Sequence, residues 1–313
     1  MRHFGLLLIL SMLSSGMVAR GRATEFALAP DQSVVGAPGV YISKSDDTLL
    51  DIARSHDLGY TELMAANQHV DPWLPGNGTR IVLPESHIIP DGPRQGIVID
   101  LLARRLFYFP PDGDRVQTYP IGVSVQGRST PIGTTRIVRA VAAPTWYPPP
   151  SIRMERPELP AVVPPGGDNP LGAFAFYLGW PSYLIHGTNK PYGIGRSVSH
   201  GCIQLYPEDI ARLAHEVRVG TTVRVVKQEA NIVHIGDKLY VVVFPNRAQA
   251  EAIEAGDAVK PQFPVELLQR ISKLSSHQIL QIDWRAIRDA GIERNGTPVY
   301  IGAHDVGAAQ ASN

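Results

Sequence analysis

The chain has 313 residues, in which 29 lysines and arginines are balanced by 29 aspartates and glutamates, so no net charge draws it to nucleic acid or to an anionic lipid surface. A single cysteine excludes a disulfide framework, and 29 glycines with 27 prolines favour strands and loops over a helical bundle. The length is too great for one small core and predicts two or three domains.

Met1-Arg2-His3 is a short basic start, and Phe4 to Val18 is an apolar run broken only by serines and glycines. The run is shorter than the roughly 20 apolar residues that span hydrocarbon. Gly21-Arg22-Ala23 places small residues at both cleavage-determining positions, which predicts an export signal over residues 1–23, cleaved near Ala23, rather than a retained anchor. Thr24 to Gly39 is weakly patterned and is expected to contribute little. Val40-Tyr41-Ile42 then reads as a strand, Ser45-Asp46-Asp47 as a helix start, and Thr48 to Ala53 as a helix that Gly59 ends. A second helix over Thr61 to Asn67, a turn at Leu74-Pro75-Gly76 and a strand over Arg80 to Leu83 complete a βααβ module over residues 40–84. Asp47-Thr48-Leu49, Ile52-Ala53, Ala66-Asn67 and Gly78 to Pro84 resemble the LysM family, which binds N-acetylglucosamine-containing glycans. The family's usual glycine is missing, since the start reads Asp46-Asp47-Thr48-Leu49. Thr48 and Asn67 would also cap and pack helices in any βααβ unit.

Ile88 to Arg94 reads as a proline-bearing linker. Gly96 to Leu101 and Arg105 to Phe109 form a hairpin, and Val116 to Val123 continues the sheet, with Gly122 placed for a bulge or close backbone approach. Thr134 to Val141 alternates polar and apolar residues, as a half-buried strand does. Ala143 to Leu171 breaks the pattern with nine prolines. Such an irregular insertion is either a binding loop or lid, or a plain surface loop. Order returns in Ala173 to Leu178 and Tyr183 to His186, followed by Ile203 to Leu205, a helix from Pro207 to Ala214, and a closing strand over Val223 to Val226.

The chemistry gathers around the lone cysteine. A thiol attacks as thiolate, which requires a neighbour to take or balance its proton. His186, at a strand end, can converge on Cys202 across adjacent strands. On an extended backbone, residues two apart share a side, so His200 can border the same pocket. Gly201 allows a tight bend, and the amides of Gly201 and Cys202 can face a developing oxyanion.

His186-Gly187-Thr188 followed by Ser199-His200-Gly201-Cys202-Ile203 resembles the signature of the YkuD-type L,D-transpeptidases, bacterial enzymes that remodel peptidoglycan. Thr130 to Thr134 and Asn169-Pro170-Leu171-Gly172 also fit. The resemblance implies a catalytic domain over residues 96–227, mainly β and of mixed, β-sandwich-like build, in the periplasm. It implies Cys202 as nucleophile and His186 as proton acceptor, with His200 beside them and Gly187, Ser199 and Gly201 shaping the pocket. It also implies acyl transfer at the diaminopimelate–D-alanine bond of tetrapeptide stems and inactivation by carbapenems, with no cofactor. The acceptor is an amine of a second stem, a lysine of a lipoprotein, or water. Gln204 stands where the family usually has arginine, which puts substrate preference in doubt. Arg196, Gln204 and Tyr177 are weaker substrate-binding candidates. An exposed thiolate in an oxidising compartment further predicts a periplasmic thiol reductant as partner.

Two other readings stay open: Cys202, His186 and His200 as a catalytic zinc set, and a non-catalytic wall-binding adaptor with a structural cysteine. Residues 228–313 read as a small α+β accessory domain. It comprises a hairpin over His234 to Phe244, helices over Ala248 to Gly256, Val265 to Leu274 and Trp284 to Gly291, a strand at Pro298 to Ile301, and a frayed end from Gly302.

Overall fold

The computed structural model describes residues 24–125, 129–273 and 279–304. The predicted export signal over residues 1–23, and the end of the tail from residue 305, lie outside the described residues. Among the described residues no helix is long and apolar enough to cross a membrane.

The chain opens with two short strands, β1 (Thr24–Ala27) and β2 (Val34–Val35), and then forms β3 (Gly39–Ile42), α1 (Leu49–Ser55), α2 (Tyr60–Ala66) and β4 (Arg80–Leu83). Thr48 starts α1 by accepting the Asp51 amide on its hydroxyl, which satisfies an otherwise unpaired donor of the first turn. Gly59 does not end this helix: α1 stops at His56, and Gly59 is the N-cap of α2, where its amide donates to Glu62. β3 and β4 pair antiparallel, and Leu49, Ile52, Leu58, Leu63, Ile81 and Leu83 fill the space between strands and helices.

β5 (His87–Ile88) pairs with β2, so the expected linker carries a strand at its start. The central sheet then builds from β6 (Gly96–Asp100), β7 (Arg105–Phe109) and β8 (Arg115–Pro120), with the short β9 (Val123–Ser124) beyond Ile121-Gly122. After β10 (Gly133–Ala142) comes a long strap containing only α3 (Pro150–Glu155). It leads into β11 (Phe174–Leu178), β12 (Leu184–His186), β13 (Ser197–Ser199), β14 (Ile203–Gln204), α4 (Pro207–Glu216) and β15 (Thr222–Val226).

Nine strands form one sheet in the order β1-β8-β7-β6-β15-β10-β11-β12-β14. Its pairs are antiparallel except β6 with β15 and β12 with β14. The leading segment is thus no bystander, because β1 forms the sheet edge beside β8. Successive side chains on a strand face opposite ways. Ile97 and Ile99 therefore enter one core with Leu106, Phe176, Ile185, Ile203 and Ile210, while Val98 enters a second with Phe107, Phe109 and Val116. The mainly β expectation holds, but in place of a sandwich of two sheets a single sheet is buried on both sides along β6 and β7.

The C-terminal part contains β16 (Ala230–Ile235), β17 (Lys238–Val243), α5 (Arg247–Ala255), α6 (Val265–Ser272), β18 (Ile279–Ile282), α7 (Trp284–Glu293) and β19 (Val299–His304). The strands order as β16-β17-β19-β18, with β18 unanticipated from sequence. Helices α6 and α7 close the core of this sheet through Leu267, Ile271, Ile287 and Ala290, whereas Ile253 of α5 enters the core of the βααβ unit.

Candidate active site

The parallel pairing of β12 with β14 carries the histidine and the cysteine on adjacent strands. Ile185 lies beside Ile203 and His186 beside Gln204, and both isoleucines are fully buried in the core. Their neighbours His186 and Gln204 therefore face the other side of the sheet. One step back in the same register, Cys202 lies beside Leu184 on that side.

The Cys202 sulfhydryl is half-buried and donates to the Ser182 carbonyl at 3.7 Å. Burial among its neighbours pushes the thiol up to about 11, against the pull of the Leu184 backbone. His186 is buried, and its Nδ1 donates to the Gly187 carbonyl at 2.6 Å. A carbonyl can only accept, so the neutral ring carries its proton on Nδ1 and keeps Nε2 as its basic nitrogen. Burial pushes the imidazole down to about 4, although the Gly187 and Leu171 carbonyls favour the protonated ring. At neutral pH the pair is an uncharged thiol and an uncharged imidazole.

The loop that presents Cys202 is tied at each end. Ser199, fully buried at the end of β13, donates its hydroxyl to the Cys202 carbonyl at 2.6 Å, and Thr130 donates to the Gly201 carbonyl at 2.9 Å. With both carbonyls turned onto protein donors, the amides of Gly201 and Cys202 bond to no described residue. Gly201 has φ of +107°, a conformation that side chains rarely adopt. This bend ends the extended backbone that would have set His200 beside Cys202. His200 is exposed instead, and its Nε2 meets Glu155 of α3 at 3.0 Å. The zinc reading loses its ligand set accordingly: among the described residues no three His, Cys, Asp or Glu side chains gather as a metal site.

The proline-rich strap is tied down by Asn169. Its side-chain amide donates to the carbonyls of Pro144, Val163 and Pro164, and its oxygen accepts the Leu171 amide. Sequence reasoning gave Asn169 only a place in the Asn169-Pro170-Leu171-Gly172 resemblance, and Glu155 gave no local signal at all, since its partner lies 45 positions away. Where the strap rejoins the sheet, a Cβ on Gly172 would stand 2.7 Å from the Thr188 amide, and one on Gly187 would stand 2.8 Å from Ile210. The two glycines let the Leu171 carbonyl reach His186.

The remaining candidates separate. Gln204 exchanges backbone hydrogen bonds with Gly122, the close approach expected at that glycine. Tyr177, beside Leu184 on β11, shares the face of Cys202. Arg196 turns elsewhere, its guanidinium 5.1 Å above the Tyr60 ring of α2.

The family description "L,D-transpeptidase catalytic domain" (YkuD) matches residues 94–225. The chain is 35% identical over 295 residues to "Probable L,D-transpeptidase YbiS" of Escherichia coli K12, covering 91% of this chain and 94% of that protein. It is 39% identical over 214 residues to "Probable L,D-transpeptidase ErfK/SrfK" of the same strain, covering 66% and 69%. Among solved structures, an L,D-transpeptidase from Mycobacterium smegmatis superposes with a TM-score of 0.35 at 20% identity, over 48% of this chain and 63% of that one, too distantly to add weight. Through the sequence matches, the chain belongs to the YkuD family of L,D-transpeptidases.

Proposed function

We propose that this L,D-transpeptidase cleaves the amide between diaminopimelate and the terminal D-alanine of a peptidoglycan tetrapeptide stem, with Cys202 as nucleophile and His186 as general base. The observation that carries the reading is the β12–β14 register, which sets an uncharged imidazole and an uncharged thiol on one face. As the substrate carbonyl enters, the thiol proton passes to Nε2 of His186 and the sulfur bonds to the carbonyl carbon. The Gly187 and Leu171 carbonyls steady the imidazolium. The oxyanion is received by the unengaged amides of Gly201 and Cys202. Collapse transfers the proton to the departing nitrogen, which releases D-alanine and leaves a thioester on Cys202. An acceptor amine, deprotonated by His186, then attacks the thioester and restores the thiol. An amine of a second stem gives a 3,3 cross-link, and a lysine of a lipoprotein attaches that protein to the wall.

The exported, periplasmic setting follows from the leader over residues 1–23, and there a thiol reductant would keep Cys202 free. The βααβ unit over 40–84 is proposed as a LysM module that holds glycan strands, a reading supported by its two helices packed between paired strands.

Intact mass after incubation with a tetrapeptide stem, and separately with a carbapenem, tests the reaction. Wild type should release D-alanine and gain one carbapenem adduct, Cys202→Ala should do neither, and His186→Ala should slow release on the order of 10²–10⁴-fold. Release of D-alanine by Cys202→Ala would overturn the reading.

A further inference from the structure

We infer that Arg139, stacked on Tyr177, is a subsite for a free carboxylate of the donor stem, an inference that rests on the reaction proposed above. The registers of four neighbouring strands define a row across the sheet. Arg139 of β10 lies beside Tyr177 of β11, and Tyr177 lies beside Leu184 of β12. Leu184 in turn lies one step before the Ile185–Ile203 pair, which places it beside Cys202. The row faces away from the core, because Phe176 and Ile185, between its members, are fully buried. A bulge between Ile137 and Arg139 shifts the alternation on β10 and brings Arg139 to this face while Ile137 stays buried.

Arg139 is exposed, yet its guanidinium carbon sits 3.7 Å from the Tyr177 ring centroid. Stacking of this kind holds the plane of the group without consuming its N–H donors, which remain aligned for a bidentate anion. No acidic side chain among the described residues pairs with it, in contrast to Arg54, Arg104 and Arg105, which all have carboxylate partners. Closer to the thiol the position beside His186 is the uncharged Gln204, and His200 is engaged by Glu155. Strands lie about 4.8 Å apart, so Arg139 starts about 14 Å from Cys202 and, by leaning over Tyr177, comes to about 10 Å. Two or three extended residues span that distance. The matching ligand is a carboxylate on the donor stem itself, either on the side chain of the diaminopimelate or on the acidic residue before it.

The test compares wild type, Arg139→Ala and Arg139→Lys on three tetrapeptide stems: one with both carboxylates free, one amidated at the diaminopimelate side chain, and one amidated at the preceding residue. On the free stem Arg139→Ala should lower kcat/KM about ten- to a hundredfold, the range for a charged hydrogen bond, with Arg139→Lys between the two. The penalty should vanish on whichever amidated stem lacks the recognised group, which also identifies it. Alkylation of Cys202 by iodoacetamide should proceed at the same rate in all three proteins, showing that the fold and thiol are intact. Equal losses on all three stems, or no loss on the free stem, would overturn the subsite while leaving the acyl transfer standing. No D-alanine release by wild type from any stem would overturn the acyl transfer and the subsite together.

Discussion

The molecule treats charge in opposite ways at two places. Where the βααβ unit, the central sheet and α5 meet, charges are buried in pairs: Arg105 with Glu62 at 3.0 Å, and Arg104 with Glu254 at 2.6 Å. Arg54 adds a bidentate pair with Glu208 at the rim. Burial alone would raise the Glu62 carboxyl, but Arg105, His87 and the Gly59 amide outweigh it and hold it at about 2. Around His186 and Cys202 the same physics meets no counter-charge among the described residues, so thiol and imidazole both remain uncharged. A charge taken from water is tolerated only with its partner in place, and at the joint those partners come from different segments. The joint therefore specifies one arrangement of three parts, while the thiol and imidazole, with no such partners, stay in their uncharged forms.

The largest effect should come from breaking the joint. Arg105→Ala strips the buried Glu62 of its guanidinium partner, leaving only the Gly59 amide and His87, and thermal or urea unfolding should show a loss of about 3–5 kcal/mol. Replacing both residues together, as Arg105→Met with Glu62→Leu, should recover much of it. A single variant as stable as wild type would show that the pair does not organise the joint.

The contrast sharpens with pH. Alkylation of Cys202 should climb steadily from neutral pH toward about 11 without a plateau near 7, and a plateau there would reveal a thiolate–imidazolium pair instead. Stability should fall at both ends. Below 6.5 the unfolded chain gains a proton that folded His186 refuses until about 4, so stability present above 6.5 is lost as pH falls across that interval. Above 9 the unfolded chain loses a thiol proton that folded Cys202 keeps to about 11, so stability declines as pH rises through that interval. Urea midpoints measured against pH in wild type and Cys202→Ala should differ only on the alkaline side.

The smallest effect concerns the strap. The Glu155–His200 pair is solvent-exposed, so Glu155→Gln should cost no more than about 0.2–1 kcal/mol and alter D-alanine release by a few-fold at most. A loss as large as that of His186→Ala would make the strap part of the chemistry rather than its cover.

Much of this was legible because local pattern and tertiary fold agree. Arg105 to Phe109, Arg80 to Leu83 and the helix opening at Pro207 stand where alternation, turn residues and proline placed them. β10 reads from alternation because much of one face is exposed, whereas β6 and β7, buried on both faces, read as continuous β-branched and aromatic runs. What escaped depended on distance. β1 has little pattern of its own and becomes a strand through β8, about ninety residues on. The two-residue strands β2, β5 and β9 are too short for any periodicity to register. His200 was misplaced because the extended-chain assumption fails at Gly201, and Arg196 because an aromatic ring from another segment claims it. Residue chemistry and spacing singled out His186 and Cys202 as candidates, whereas their uncharged state emerges only from burial.

The placement of α5 bears on the order in which the chain can fold. Ile253 completes the core formed by residues 49–83, and Glu254 reaches both Thr61 and Arg104. On a chain emerging from its amino end, the first unit to appear lacks a piece of its own interior until residue 253 has followed. Contacts spanning 150 and 193 positions close late and slowly. Such a chain stays loose while it emerges and locks only once residues 253 and 254 have followed.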